Sequence, residues 1–457
     1  MKASLSPRGA VLRLFRVIYG AGRRLRRRLT PAGQILLGTT LTAGALGVDT
    51  RQSLAHQLFA LGMALLLTAF LLLVLHRGRY TVARQLPPLA TMGQPFTYRL
   101  QLRAQSGVLE GGHGVVEELE TVYPSPRAFR RADAMADGHH NWFDRKVGYP
   151  RFVALVHQGM GASIPEQTLP AGPAVAEVEV RITATPLRRG FIYFTGTRLA
   201  RPEALGLARS LHHAAAPDRL LVLPRRYAVP RLALPGSRQE QPGGVTYSGH
   251  VGESEEFVAT RDYRPGDPVR RIHWRGWART GHPVVREYQD EFFVRHALAL
   301  DTFSAAATPA FEEAISLAAS YVVTLPRTDS LLDLVFVGNR PHRLTTGRGT
   351  GGEQHLLEAL ACLGPAGQDG FRTLADMLLG QASRVTGMVL VLVQWDAPRR
   401  RLVERLRAVG IHLVVFVVSP EKSIDAGPYG DGPRWLWHLR PGRIQEDLDR
   451  GPGAAPG

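Results

Sequence analysis

Two apolar runs near the end of the chain decide the fold: Met388 to Gln394 (MVLVLVQ) and Ile411 to Val418 (IHLVVFVV). Uninterrupted apolar runs of this length are typical of strands that are buried on both faces of a sheet. Pro398 to Val409, which lies between them, has the pattern of a helix. A strand–helix–strand order predicts parallel strands with helices packed against the sheet.

The same alternation extends upstream to residue 296. Thr308 followed by Pro309 predicts the start of a helix that continues to about Thr324. The other predicted elements are strands at His296 to Leu300 and Leu331 to Val337, an edge strand at Arg340 to Thr346, and a helix at Gln354 to Leu363. The sequence therefore predicts a doubly wound α/β domain, followed by a loosely ordered tail that is rich in Gly and Pro.

Two aspartates come directly after predicted strands of this sheet, Asp301 and Asp396. In open α/β sheets, ligands bind at the carboxyl ends of the strands. Paired carboxylates suit a hard divalent cation such as Mg²⁺, and a metal-dependent hydrolase that uses Asp301 and Asp396 is therefore one candidate function. The alternative for Asp396 is a structural role as the N-cap of the helix that begins near Pro398.

The middle of the chain has the period-two pattern of half-buried strands. This pattern is present at Phe96 to Ala104, Glu177 to Thr183 and Gly190 to Gly196, and Arg151 to Val156 (RFVALV) is a further strand candidate. Short strands separated by Gly, Pro and Asp predict an antiparallel sandwich. The stretch after it is rich in Pro and Gly and predicts an extended linker.

The charge distribution points to a membrane. The chain of 457 residues has a net charge of +17, but residues 1–84 contain 13 Lys or Arg and one acid, so most of the excess lies there. This placement argues against nucleic acid as a partner, because the rest of the chain is near charge balance. The arginine clusters flank two uncharged apolar stretches, residues 32–48 and 54–75.

These stretches predict a transmembrane hairpin. The second has 22 residues, which span ~33 Å as a helix and suffice for the hydrocarbon core. Arginines precede the first stretch and follow the second, so the positive-inside rule places both ends in the cytoplasm. We therefore expect a multi-pass protein of the cell membrane with cytoplasmic domains; a buried core hairpin is the alternative.

The single cysteine, Cys362, excludes an internal disulfide framework and a cysteine-rich metal module. It lies in an apolar helical run, which predicts a small buried side chain. A P-loop of the GxxxxGK[ST] type does not occur in the sequence, so nothing in it points to nucleotide binding by that route.

The densest signal lies at residues 252–292, GESEEFVATRDYRPGDPVRRIHWRGWARTGHPVVREYQDEF. Arginines, acids and aromatic residues are interleaved, and Pro265-Gly266-Asp267 has the chemistry of a turn. One interpretation is a salt-bridged cap on the sheet with Trp274 and Trp277 as core anchors. The other is a surface that binds a partner or an anion.

The order of motifs in this segment resembles the family known as domain of unknown function 58 (DUF58). The resemblance rests on R-D-Y-R-P-G-D at Arg261 to Asp267, R-R-I-H-W at Arg270 to Trp274, A-R-T-G at Ala278 to Gly281, and V-R-E-Y at Val285 to Tyr288. The resemblance extends beyond this segment. It includes two apolar spans near the start of the chain, L-R-R-G-F at Leu187 to Phe191, and L-V-L-P at Leu221 to Pro224.

The resemblance implies an α/β domain similar to von Willebrand factor type A domains and a partner of the MoxR-type AAA+ ATPase class. It implies a non-enzymatic adaptor with an assembly or chaperone-like role. The implied interaction residues are Arg261, Tyr263, Arg264, Pro265, Gly266, Asp267, Arg270, Arg271, Trp274 and Arg279.

Type A domains often hold a metal ion on an Asp-x-Ser-x-Ser loop, and here the loop departs from that pattern. It reads Asp301-Thr302-Phe303-Ser304-Ala305, with Ser304 one position out of register. Asp301, Ser304 and Asp396 are the candidate ligands of a degenerate Mg²⁺ site, and no other cofactor is expected.

The predicted organisation follows from these observations. It comprises a basic cytoplasmic N-terminus (1–31), the transmembrane hairpin (32–75), a sandwich-like β domain (80–223), a linker (224–250), the motif segment with the α/β domain (251–420) and the tail (421–457).

Overall fold

The structure is a computed structural model. It describes residues 7–46, 54–75, 78–106, 108–126, 129, 148–170, 172–232, 257–288, 294–304, 306–325, 330–347, 352–367, 370–421, 424 and 434–452. The chain divides into two compact units, one formed by residues 1–225 with 357–363 and the other by residues 226–356 with 364–457. The chain is therefore multidomain, and it contains both antiparallel and mixed sheets.

Three helices open the first unit: α1 (Pro7–Arg28), α2 (Pro31–Leu46) and α3 (Leu54–Leu75). Within the described residues, α3 is the one helix long and apolar enough to cross a membrane, with a mean hydropathy of 2.0 over Leu54–Leu73. Helix α2 has 16 residues and is about 24 Å long. Small residues let α2 and α3 approach closely, because Thr40 leaves no room for a side chain at Gly62.

Helix α1 occupies the stretch that the sequence showed only as a basic terminus. Its 22 residues contain apolar side chains on more than one face. Leu12 and Phe15 are buried against Phe152 and Val156. The helix is therefore part of the packed unit rather than a charged extension.

The predicted sandwich is present as two sheets over β1 to β9. The first sheet has the order β1-β3-β7-β5 and the second the order β2-β9-β8-β4-β6. All pairs are antiparallel except β2 with β9. The strands are β1 (Arg79–Gln85), β2 (Leu89–Thr91), β3 (Phe96–Ser106), β4 (Gly114–Leu119), β5 (Ala162–Ser163), β6 (Gln167–Thr168), β7 (Glu177–Pro186), β8 (Gly190–Pro202) and β9 (Arg209–Leu223).

Alternate residues of these strands form the core between the sheets. Leu100 and Leu102 of β3, Ile182 of β7, and Ile192 and Phe194 of β8 are buried together. The period-two pattern therefore identified the inward face of three strands.

The strand predicted at Arg151 to Val156 is wrong, because these residues lie in helix α4 (Tyr149–Gly159). Gly148 has a φ of 74° and Pro150 lies in the first turn, which favours a helix start. Phe152 and Val156 are four residues apart and share the face that packs on α1. A short apolar run fits both periodicities, and the packing partner decides between them.

The second unit contains a two-stranded ribbon and a six-stranded mixed sheet. The ribbon pairs β10 (Phe257–Asp262) with β11 (Val284–Tyr288), and helix α5 (Trp274–Thr280) lies between them in sequence. The large sheet has the order β14-β13-β12-β15-β16-β17. Its elements are β12 (Val294–Leu300), α6 (Pro309–Thr324), β13 (Ser330–Val337), β14 (Pro341–Thr346), α7 (Gly352–Cys362), α8 (Phe371–Gln381), β15 (Gly387–Leu392), α9 (Ala397–Ala408), β16 (His412–Val418), β17 (Leu436–Leu439) and α10 (Ile444–Arg450).

Helices pack on both faces of this sheet, as predicted. On one face, Leu378 of α8 and Leu402 of α9 join the core around Ala299 and Leu390. On the other, the ring of Tyr321 in α6 lies 5.1 Å from the ring of Phe416 in β16. The strands pair in parallel except for β14, which lies at the edge, as predicted, and runs antiparallel to β13.

The tail and the linker are more structured than their composition indicated. Strand β17 and helix α10 lie within 421–457, and the ring centre of Trp437 lies 5.5 Å from that of Phe416. The sequence pattern does not predict this strand, because Leu436 to Leu439 is a short run with Gly and Pro on both sides. In the linker, the amide of Tyr227 donates to Ser320 Oγ at 2.8 Å, and residues 233–250 lie outside the described part.

Cys362 is exposed, so the prediction that it is buried is wrong.

Candidate functional site

The central strands β12 and β15 are adjacent, and their chain connections run in opposite directions across the sheet. This point, where ligands bind in open α/β folds, carries Asp301 at the end of β12. Asp301 is fully buried. Its carboxylate accepts hydrogen bonds from the amides of Phe303 at 3.0 Å and Val393 at 3.3 Å. Backbone amides that follow the two strands therefore help to position this carboxylate.

A buried arginine from α9 lies between the two predicted aspartates. Arg399 Nε donates to Asp301 Oδ2 at 2.6 Å, and its Nη1 donates to Asp396 Oδ2 at 2.5 Å. Its Nη2 donates to the carbonyl of Phe303 at 3.3 Å, and the guanidinium lies 4.6 Å from the centre of the Phe371 ring. Arg399 is 4% exposed, so its charge is neutralised by protein rather than by solvent.

The electrostatics of this cluster keep the arginine charged. Burial alone would lower the pKa of Arg399, but the hydrogen bonds and charges of Asp301 and Asp396 outweigh it, and the pKa is raised. Burial raises the pKa of Asp301, against the hydrogen bonds from Arg399 and from two backbone amides. A cationic guanidinium that bridges two carboxylates is the arrangement that satisfies all three groups.

The predicted Mg²⁺ ligands do not fit a metal ion. Arg399 supplies the positive charge that a cation would bring to Asp301 and Asp396. The third predicted ligand is engaged elsewhere, because Ser304 Oγ donates to the carbonyl of Ala306 at 2.8 Å. Across the described residues, no group of three or more His, Cys, Asp or Glu is placed to hold a metal. Asp396 also caps α9 by accepting from the amide of Arg399 at 3.2 Å, which confirms its alternative role.

The motif segment forms a separate arrangement around a tight turn. Arg261 makes two bonds of 2.7 Å to the carboxylate of Asp267, which also accepts from the amide of Arg264 at 2.9 Å. Gly266 has a φ of 109°, a conformation that favours glycine. Hydrogen bonds from Arg261 and from the backbone amide of Arg264 lower the pKa of Asp267 to about 2. Arg261, Pro265, Gly266 and Asp267 therefore hold the turn.

The remaining motif residues face outward. Trp274 and Trp277 stack with ring centres 5.5 Å apart and are 61% and 36% exposed, so the interpretation that made them core anchors is wrong. Tyr263 is half-buried, and its amide donates to Pro283. We call the outward set the arginine–tryptophan face: Arg264, Arg270, Arg271, Trp274, Arg275, Trp277 and Arg279, all exposed.

Sequence reasoning missed the role of Arg399 and understated those of Trp277 and Arg275. The signal for Arg399 was its position three residues after a capping aspartate, where a side chain in the first helical turn can reach back to the strand ends. For Trp277, a spacing of three from Trp274 on one short helix was enough to predict a pair.

A comparison with known families finds a match to this part of the chain. Residues 259–425 match the family described as "Protein of unknown function DUF58". The match includes the arginine–tryptophan face together with Asp301, Asp396 and Arg399, and it agrees with the resemblance found in the motifs.

Two curated relatives are similar to parts of the chain. The uncharacterized protein YeaD of Bacillus subtilis is 25% identical over 240 residues, which cover 52% of this chain and 58% of that protein. The uncharacterized protein Rv1480 of Mycobacterium tuberculosis is 27% identical over 209 residues, which cover 41% and 63%. The chain thus spans less than two thirds of the length of either relative.

Among solved structures, matches cover a third of the chain. A cohesin module from a Clostridium perfringens family 33 glycoside hydrolase covers 32% of the chain at 5% identity and a TM-score of 0.16. AggA, the major subunit of an Escherichia coli aggregative adherence fimbria, also covers 32%, at 11% identity and a TM-score of 0.16. Such low scores carry no argument about fold or function.

Proposed function

We propose that this protein is a membrane-anchored, non-enzymatic adaptor that binds a cytoplasmic protein partner through its arginine–tryptophan face. The observation that carries the proposal is the exposed Trp274–Trp277 stack in a short segment that also contains five exposed arginines. Large aromatic side chains in contact with water are costly to leave uncovered, and Trp and Arg are the residues that dominate binding energy at protein interfaces.

The chemistry of the face indicates an acidic partner. Arg264, Arg270, Arg271, Arg275 and Arg279 make no ion pair with any residue in the described part of the chain. An arginine side chain can bind a carboxylate through two parallel hydrogen bonds or stack on a planar group. A partner surface that carries carboxylates around an apolar pocket would match both components.

The partner class comes from the family resemblance. It implies a MoxR-type AAA+ ATPase, with the α/β domain acting as a von Willebrand factor type A-like module. The sheet order, with one antiparallel edge strand and helices on both faces, is compatible with such a module. In this chain the place of a metal ion is taken by Arg399, so binding would not run through a bridging cation.

Helices α2 and α3 would provide the anchor. Helix α3 has the length and composition of a span, and α2 packs against it. The arginines on either side of the hairpin would place both of its ends in the cytoplasm, where the partner and the domains would meet.

The alternative of a metal-dependent hydrolase gains no support from this arrangement. Asp301 is buried and already bonded to Arg399 and two amides. A hydrolytic metal centre needs an open coordination position for water, and this cluster has none.

Charge reversal on the face tests the proposal. Purified full-length protein in detergent is mixed with the purified MoxR-type AAA+ ATPase of the same organism, and binding is measured with Arg264→Glu and Arg271→Glu together. We expect at least a tenfold loss of affinity with an unchanged Tm. The matched control is Arg372→Glu on α8, whose side chain is 93% exposed, and it should bind normally.

Two outcomes would contradict the proposal. Equal loss in the face variant and in the Arg372 control would mean that general charge, not this face, drives binding. A large fall in Tm with Arg264→Glu and Arg271→Glu would assign these arginines to the fold instead.

A further inference from the structure

Helix α1 exposes a continuous apolar stripe. Val11, Leu14, Ile18 and Leu25 are 42%, 56%, 45% and 51% exposed. Their spacings of three, four and seven residues place them along one face of the helix. A stripe of this kind on a packed helix needs a partner, since apolar surface in water is unfavourable.

A neighbouring face of α1 is fixed to the sandwich. Leu12 and Phe15 are buried on α4. Near the end of the helix, Arg27 makes an ion pair with Glu118 at 3.0 Å, and Arg23 donates to Thr121 at 3.2 Å. The stripe therefore has a set direction and cannot turn inward to bury itself.

The stripe leads directly to the apolar hairpin. Leu29 and Thr30 separate α1 from α2, and Thr30 Oγ1 donates to the carbonyl of Gly206 at 2.6 Å, which ties this junction to the sandwich. A cavity of about 260 Å³ lies between the two helices, with Leu25 on one side and Leu37 and Leu41 on the other. The last part of the stripe thus faces the same space as the first turns of α2.

Arginines border the stripe. Arg13, Arg24 and Arg28 are exposed, and residues 1–28 contain no Asp or Glu. The structure gives these three arginines no acidic partner within the described residues. A helix with an apolar stripe and a cationic border has the character of helices that lie in the headgroup layer of anionic membranes.

We infer that α1 is an in-plane interfacial helix that binds the surface of an anionic phospholipid bilayer. The stripe enters the boundary between headgroups and acyl chains, and Arg13, Arg24 and Arg28 bind lipid phosphates. Because α1 is fixed to the sandwich, this contact holds the sandwich domain against the membrane. The inference rests on the proposed anchor but goes beyond it, since the hairpin by itself gives α1 no contact with the bilayer.

Site-directed labels in the full chain test this placement. The background is Cys362→Ser, and single nitroxide labels are attached at Leu14→Cys, Ile18→Cys and Val17→Cys. Val17 is 63% exposed but points about 100° away from Ile18, toward the arginine border. Labels at Gln94→Cys in an exposed turn of the sandwich and at Leu67→Cys in α3 serve as the aqueous and lipid references. The protein is reconstituted in nanodiscs of phosphatidylcholine that contain phosphatidylglycerol as the anionic lipid.

We expect labels at Leu14 and Ile18 to collide with oxygen as the Leu67 label does, and the Val17 label to be intermediate. Water accessibility at Leu14 and Ile18 equal to that at Gln94, with Leu67 in lipid, would overturn the inference and leave the anchor standing. Shielding from both water and oxygen would also overturn it, because another protein surface would then cover the stripe. An aqueous Leu67 label would contradict the anchor as well.

A charge variant separates lipid binding from apolar burial. The triple variant carries Arg13→Gln, Arg24→Gln and Arg28→Gln. It should bind phosphatidylglycerol less strongly than the native protein. For each arginine removed, the ratio of membrane-bound to unbound α1 should fall by roughly fivefold. The matched control replaces three exposed sandwich arginines, Arg99, Arg103 and Arg181, by Gln. The same lipid preference in both triple variants would contradict the proposed role of the α1 arginines.

Discussion

Arg399 Nε donates to Asp301 Oδ2 at 2.6 Å, in a buried position at the carboxyl ends of the central strands. Its second bond reaches Asp396, which is half exposed at the start of α9. The guanidinium thus joins Asp301, after β12, to Asp396, after β15, the two aspartates predicted as metal ligands. Both carboxylates are therefore bonded to a cation that the protein itself supplies.

Removal of Arg399 is expected to destabilise the protein strongly. Arg399→Ala leaves the carboxylate of Asp301 buried without its cation, and breaking a buried pair in this way costs about 3–5 kcal/mol of the free energy of unfolding. Urea unfolding of the purified protein measures the loss. The control is Arg401→Ala, an exposed neighbour on the same helix, which should change stability by no more than about 0.5 kcal/mol.

A double variant checks the reason for that loss. Asp301→Leu combined with Arg399→Met removes both charges and should be less destabilised than Arg399→Ala alone. A loss of less than about 1 kcal/mol in the free energy of unfolding for Arg399→Ala would be that of an ordinary polar contact. The Arg399–Asp301 pair would then not be a main source of stability at the carboxyl ends of the strands.

Divalent metal ions should not stabilise the protein through Asp301 and Asp396. Addition of Mg²⁺ to about 1,000 times a micromolar Kd would stabilise a real site by about 4 kcal/mol. We expect no shift of Tm on titration with Mg²⁺ or Mn²⁺ and no difference between the native protein and Asp396→Ala. A rise in Tm that disappears with Asp396→Ala would show that metal displaces Arg399.

The stability that the turn of the motif segment contributes should depend on pH. The pKa of Asp267 is lowered to about 2, below its ordinary value of 3.8. A lowered pKa in the folded state means that the stabilisation is complete above about pH 4 and is lost as the pH falls toward 2. The difference in Tm between the native protein and Asp267→Asn should therefore be present at neutral pH and fade over this range.

The control for this titration is Asp262→Asn, since the side chain of Asp262 is 81% exposed. It should show little difference from the native protein at any pH. A difference for Asp267→Asn that persists unchanged at pH 2 would exclude the ionised carboxylate as the group that holds the turn.

Long apolar runs made the α/β sheet predictable from sequence. Met388 to Gln394 is a continuous apolar run of the kind typical of a strand buried on both faces, and Thr308-Pro309 marks a helix start by local chemistry. The edge strand β14 could also be predicted, because a polar, alternating stretch after a buried strand fits a sheet edge.

The rest depended on tertiary contacts. Residues Arg151 to Val156 fit a strand or a helix, and contact with Phe15 of α1 decided for the helix. Trp274 is large and apolar, which favours a core position, yet α5 is too short to bury it. The role of Arg399 required the ends of β12 and β15 to be brought together, which local patterns do not reveal.

The most direct test of the adaptor account is photo-crosslinking from the arginine–tryptophan face. A benzophenone amino acid replaces Trp274 in the full-length protein, and the MoxR-type AAA+ ATPase of the same organism is present in the same membranes. We predict a crosslink to that ATPase from position 274 and none from position 372 on α8. A folded protein that gives no crosslink from position 274, or equal crosslinks from both positions, would contradict the account.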